Sequence, residues 1–193
     1  MSGRLIKVIP LTGKYAPKRG DVVIGKIINM SFSFWYVDVG CANDAVLALQ
    51  GTPEYIEKGA DLSQYYNFGD VITAKVSSVT RGVVEISMKG PGLRKLSSGK
   101  LIRVTPSKVP RIIGKQGSMI SLIKDKTGCR IIVGQNGIVW IQGEPEMEFV
   151  ATDAIKLVDE KSHLEGLTDE ITKYLEKHCK KTDIGEKDGK EKK

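Results

Sequence analysis

The sequence predicts a multidomain chain: an all-β barrel of five strands, then an α+β domain, with a short N-terminal β arm in front. Three observations lead there. Short apolar, β-rich runs crowd residues 22–88, a break rich in Gly, Pro and Ser follows at 90–99, and beyond it strand and helix periodicities alternate. At 193 residues the chain is long enough to bury more than one small core. With 40% hydrophobic and 27% charged residues it reads as a soluble globular protein.

The arm is residues 1–18, punctuated by Pro10, Gly13 and Pro17. Val22–Ile28, Phe34–Val39 and Asp44–Leu49 are the first three strands, and 51–67 is a long polar and aromatic connection. Val71–Val79 and Val83–Met88 complete the set around a Thr80-Arg81-Gly82 turn. Five short strands with a long excursion between the third and fourth suit a Greek-key OB-fold over 19–90. Gly90-Pro91-Gly92 through Gly99 reads as a flexible linker, 91–99.

Lys100–Val104 then reads as a strand, Pro106–Ile113 as a short helix, and Ser118–Thr127 as a second helix stopped by Gly128. Arg130–Val133 and Ile138–Ile141 are strands joined through Gln135-Asn136-Gly137, an Asn-Gly hairpin signal. A longer helix from Pro145 to about His163 should bury Met147, Val150, Ala154, Ile155 and Val158. The order β-α-α-β-β-α over 100–165 is that of a type I KH domain, with Trp140 expected in its core. A last helix, 166–179, is expected to start at a Thr168 cap, with Asp169 and Glu170 in its first turn. Residues 180–193 are almost wholly charged or Gly and are expected to be a disordered tail.

Net charge is +7, but its distribution says more than its total. Between Glu85 and Asp125 there is no acid, against nine bases from Lys89 to Lys124. From Asp38 to Asp70 six acids face Lys58 alone. A one-sided basic block marks a polyanion site, whereas a merely solvated surface normally mixes both signs.

Inside that block lies Arg111-Ile112-Ile113-Gly114-Lys115-Gln116-Gly117-Ser118, between two expected helices. A nucleic acid backbone approaches a loop closely only where side chains are missing, which is what the two glycines supply. The free N–H groups of the Ser118 helix then face a phosphate, with Lys115 and Arg111 adding charge. This is the G-x-x-G pattern with which KH domains clamp about four nucleotides of single-stranded RNA. Lys108, Arg111, Ile113, Gly114, Lys115, Gln116, Gly117 and Ser118 are therefore the candidate RNA contacts. Gly134-Gln135-Asn136-Gly137 fits the bare pattern as well, but its Asn-Gly step marks a hairpin turn. A nucleotide P-loop is excluded, because position 109 is Val109 and the lysine is followed by Gln116.

On the barrel, an outward Asp38 sends Phe34 and Tyr36 outward with it and Trp35, Val37 and Val39 inward. Outward aromatics are stacking platforms for bases, and Lys75 and Arg81 complete the candidate RNA face. The alternative places one or both rings under the 51–67 connection.

Other chemistry finds little support. Cys41, Cys129 and Cys179 form no C-x-x-C pair, and His163 and His178 are the only histidines, so no metal site or disulfide framework is expected. H-E-x-x-H, G-x-S-x-G and a metal-type cluster of acids are all missing. The expected protein is not an enzyme and takes no cofactor and no small-molecule substrate. Without an apolar run of membrane length or a signal-peptide h-region, it should be cytoplasmic and free of membrane partners.

At Leu11–Gly25, Thr105–Ser118, Val133–Gly137 and Gly166–Asp169 the chain resembles the RNA-binding cap subunits of the archaeal exosome, of S1–KH type. The resemblance implies an S1 barrel, three copies capping a hexameric phosphorolytic ring, and delivery of RNA 3′ ends to its channel. Counted from Gly25, the S1 pattern puts its aromatic contacts at Ser33 and Tyr36 and its histidine near Ala48, so one aromatic is kept. Such subunits carry a longer N-terminal docking domain, of which residues 1–18 read as a remnant. Alternative functions are an S1–KH transcription elongation factor, a stand-alone nuclease, and a general RNA-binding or assembly scaffold. The acidic 38–70 stretch fits a protein-docking face.

Overall fold

A computed structural model describes residues 13–57, 59–162, 164 and 166–179. The first part of the arm (1–12), His163 and the charged tail lie outside the described residues, and residues 13–18 form no strand. Tyr15 is buried against the barrel, and its hydroxyl donates to Asp21 Oδ2 at 2.6 Å. Burial, and then the neighbouring Asp21 carboxylate, push the Tyr15 phenol above its ordinary pKa, so it stays a donor.

The barrel strands are β1 (Val22–Met30), β2 (Phe34–Asp38), β3 (Ala45–Ala48), β4 (Val71–Thr80) and β5 (Val83–Ser87). They run in the order β1-β2-β3-β5-β4, and β4 pairs back with β1 to close the barrel. All pairs are antiparallel except β3 with β5. Strict alternation builds the core: Val23 and Ile27 from β1, Trp35 and Val37 from β2, and Ile72, Ala74 and Val76 from β4 all point inward. The 51–67 connection lays Ile56, Leu62 and Tyr66 over one end, with Tyr66 edge-on to Trp35.

The segment expected as a flexible linker is partly a strand. Lys95–Leu96 forms β6 and pairs antiparallel with Val71 and Ile72 of β4. No local pattern marks a two-residue strand; β6 forms because β4 offers it a free edge.

In the second domain, β7 (Lys100–Arg103), β8 (Arg130–Val133) and β9 (Ile138–Gln142) make an antiparallel sheet of order β7-β9-β8. The expected helix at 106–113 is a 3-10 turn, Pro106–Lys108, running into α1 (Val109–Ile113). Helix α2 spans Ser118–Thr127 and α3 spans Pro145–Glu160. Met147 and Val150 are only half-buried; Ala151, Thr152, Ala154, Ile155 and Val158 form the buried stripe of α3. Helix α4 (Leu167–Cys179) begins before Thr168, which lies inside it rather than capping it. Its Leu167, Ile171 and Leu175 join the same core as α1, α2 and α3. None of the described helices is long and apolar enough to cross a membrane.

Trp140 does not belong to that core. It is 1% exposed, but it lies on the sheet face away from the helices and packs with Ile24 of the barrel and Leu96 of β6. Its indole N–H donates to Ser97 O at 3.3 Å. The β8–β9 turn completes the junction. Asn136 Nδ2 donates to Ile24 O (2.7 Å) and Val39 O (2.8 Å), and Asn136 Oδ1 accepts from Ile24 N–H (3.2 Å). Gln135 N–H donates to Val22 O at 2.8 Å, while Gln135 Oε1 accepts from Val22 N–H at 2.7 Å. A Cβ on Gly134 would fall on Asn136 Oδ1 and 3.0 Å from Ile24 N, so the turn can come this close only with Gly there. Asn136→Ala should cost roughly 1–3 kcal/mol in urea unfolding, because it strands buried barrel carbonyls, and Gly134→Ala should behave alike. Stability unchanged in both variants would show that the junction is not held by this turn.

Candidate nucleic-acid interface

The loop between α1 and α2 is built by its backbone. Helix α1 ends at Gly114, at φ 79° and ψ 172°, a region open to glycine almost alone. Lys115–Gly117 makes one 3-10 turn, with Gln116 at φ 55° and Gly117 at φ 82° in the left-handed region. Gly114 O accepts from Gly117 N–H at 3.2 Å, which locks the turn. Helix α2 then starts with no side-chain cap and no acid in its first turn. The Ser118 N–H donates back to Lys115 O, and the positive end of the α2 dipole is left without an acidic partner in its first turn.

Around that turn Lys115, Gln116 and Ser118 are exposed, and Ile113 is half-buried against the helical core. The other two basic candidates are tied back into the domain. Lys108 Nζ donates to Asp159 O at 2.6 Å and lies 3.9 Å from Asp159 Oδ1. Arg111 Nη2 donates to Leu164 O at 3.0 Å, leaving an exposed guanidinium with spare donors. Lys115 is therefore the cation that the turn itself carries. The two glycines also differ. A Cβ on Gly114 would lie 2.6 Å from Met119 N and 2.8 Å from Met119 Cβ, whereas one on Gly117 meets nothing within 4 Å.

The barrel residues do not form one site. Phe34 and Tyr36 stand outward and half-buried, edge to face at 5.1 Å. Lys75 is elsewhere: it pairs with Val22, at the opposite end of β1 from Asn29, which pairs with Tyr36. Arg81 sits in the β4–β5 turn at φ 48°, next to Gly82, whose carbonyl accepts from Asn43 Nδ2 at 2.9 Å. Phe34 lines a cleft of about 770 Å³ with Met30, Leu49 and Leu62, between β2 and the 51–67 connection. Both expected placements of this ring are thus partly realised. Phe32 stands 96% exposed at the cleft, and Asp61 lies on its wall. Hydrogen bonds from the Ser63 hydroxyl and then its N–H hold Asp61 below the usual carboxylate range, so the wall keeps its negative charge. Phosphate is poorly suited to that position.

Among the described residues no group of His, Cys, Asp and Glu could hold a metal ion. The residues that sequence reasoning missed are Gln135 and Asn136, whose side chains join the domains. Their only signal was the Asn-Gly step, which a plain hairpin explains equally well.

A closed barrel joined to a β-α-α-β-β-α unit with a glycine turn before α2 defines a tandem S1–KH protein. The family model described as "RRP4, S1 domain" matches residues 14–78, and that described as "KH domain" matches 100–157. The exosome complex component Rrp4 of Thermococcus kodakarensis is 46% identical over 90% of this chain and 70% of its own length. That of Picrophilus torridus is 43% identical over 91% and 76%. The chain belongs to the Rrp4 family of exosome components. It spans 58% of the length of the Methanobrevibacter smithii relative, at 42% identity over 91% of this chain. A solved structure named for an exosome complex RNA-binding protein superposes with a TM-score of 0.78, at 33% identity, over 88% of this chain and 99% of its own.

Gly114→Ala should lose roughly 1–3 kcal/mol from backbone strain alone, and more from its contact with Met119. Gly117→Ala should lose no more than about 1–2 kcal/mol, the left-handed penalty. Urea unfolding of the pair reads the difference, and equal losses would contradict this account of the turn.

Proposed function

We propose that this chain is a non-catalytic subunit that captures single-stranded RNA and delivers 3′ ends to the phosphorolytic ring of an exosome. The observation that carries the reading is the glycine turn opening on the uncapped N-terminus of α2, with Lys115 at its edge. The close backbone approach that the two glycines allow, a helix dipole and one ammonium make a phosphate clamp. The relatives are named as exosome complex components, and three copies on a hexameric ring is what the family resemblance implies. The acid-rich 38–70 stretch, with Tyr55 and Phe68 exposed on it and Phe32 exposed at the cleft, suits protein docking better than RNA and supports attachment to that ring.

Gly117→Asp tests the clamp, since the open space at that position lets the variant fold. A carboxylate there should weaken single-stranded RNA binding by about 1–3 kcal/mol in fluorescence anisotropy, and the neutral Gly117→Asn should lose less. For the wild type, log affinity should fall against log salt by about 0.7 per phosphate neutralised. Alone, the chain should neither shorten RNA nor hydrolyse nucleoside triphosphates with Mg²⁺ or Mn²⁺. With a phosphorolytic ring it should speed degradation at low RNA concentration, and Gly117→Asp should remove that gain. Unchanged RNA affinity in folded Gly117→Asp would sink the reading.

A further inference from the structure

We infer that the junction between the two domains carries a second contact for the RNA backbone, built by Lys75, Arg94 and Arg103 and separate from the loop clamp. The strand registers bring these residues to one border. Ile24 pairs with Thr73, and Ile24 packs outward against Leu96 and Trp140, so Thr73 and the next outward position on β4, Lys75, share that face of the barrel. Arg94 O accepts from Thr73 N–H at 2.8 Å, and Arg94 lies two residues before Leu96, on the same side. In the second domain Leu101 pairs with Trp140 and Arg103 with Ile138, on the sheet face away from the helices. All three basic side chains are exposed.

Their charge is unspent. Lys95 is bound to Asp70 at 2.5 Å, Lys108 to Asp159, and Lys100 lies 4.1 Å from the Phe149 ring centre, but none of the ion pairs among the described residues involves Lys75, Arg94 or Arg103. The acids at this border are engaged as well: Asp70 with Lys95, and Asp21, beside Val22, with the Tyr15 hydroxyl and Lys18 N–H. A border whose cations are unpaired and whose acids are already engaged is what a polyanion recognises, and two guanidinium forks match phosphate oxygens. An acidic protein partner is less favoured. The apolar side chains here, Ile24, Leu96 and Trp140, are consumed between the domains, and Leu101 is the exposed apolar residue left as an anchor.

The loop clamp and this border lie on opposite faces of the β7-β9-β8 sheet, so an RNA filling only the clamp cannot touch both. The inference rests on the RNA-binding reading, and strand length separates the two. Anisotropy titrations of wild type, the double variant Arg94→Gln/Arg103→Gln, Arg94→Lys/Arg103→Lys and Gly117→Asp would use RNAs of about 4 and about 12 nucleotides. The Gln variant should melt like wild type and bind the short RNA equally. It should bind the long one several-fold more weakly, with a salt slope lower by about 1.4 for two lost phosphate contacts. The Lys variant should recover most of that loss. Unchanged affinity for the long RNA would overturn the inference and leave the clamp standing. An equal loss on both RNAs would overturn it too, since the arginines would then act through the clamp or the fold. Wild type that binds neither RNA, with Gly117→Asp no different, would remove the RNA reading and this inference together. Binding of polyglutamate that the Gln variant loses, with long-RNA binding unchanged, would assign the border to a protein partner instead.

Discussion

The arrangement of this chain depends on one buried amide. Asn136 is 5% exposed and reaches from a tight turn of the second domain to both polar groups of Ile24 and to the carbonyl of Val39. These backbone groups lie on the outer surface of a closed barrel, where water would otherwise solvate them. Covering them with Trp140 and Leu96 is tolerable only because the amide replaces that water with matched geometry. Apolar contact alone would tolerate sliding of one domain over the other. An amide offering a donor to two carbonyls and an acceptor to one N–H tolerates much less.

That dependence explains which parts of the fold were legible in the sequence. Helix α2 was readable to its last residue, because Gly117, the Met119–Ile120–Ile123 spacing and Gly128 are all local signals. The barrel strands were readable from alternation, and Trp35 and Val37 point inward as that rule requires. What failed was everything decided by a partner distant in sequence. Ser97 and Leu96 looked like linker because their pairing surface lies on β4 and β9. Trp140 looked like ordinary core because alternation tells that a strand has two faces but not what covers the second one. The Gly134–Gly137 turn looked like a second G-x-x-G and then like a plain hairpin. Its actual use is visible only once β1 is beside it.

The candidate site was legible in position but not in its division of labour. Charge counting placed Lys108, Arg111 and Lys115 together, yet Lys108 holds the start of α1 to the end of α3 through Asp159. The same Asp159 carboxylate accepts from Thr105 N–H at 3.2 Å, so this ion pair fixes the entry to the helical hairpin. A basic residue beside the candidate loop thus serves to hold the loop's supports in place. Nor are the two glycines equivalent: Gly114 makes room for the first turn of α2, and Gly117 leaves space that faces outward.

The two domains also divide the chain's electrostatics. The acid-rich stretch 38–70 lies in the barrel and puts Asp61 on the cleft wall, while an acid-free run of bases from Lys89 to Lys124 leads into the second domain. A flexible tether would let the acidic side swing toward any RNA held by the basic side and weaken its binding by repulsion. Fixing the domains through Asn136 and Trp140 prevents that, because β1 and β4 lie against the second domain while the cleft opens between β2 and the 51–67 connection. The polar latch therefore does more than stabilise the pair. It holds the Asp61 wall of the cleft and the basic border at fixed positions, an arrangement that fits the proposed subunit, which would bind a complex on one side and RNA on the other.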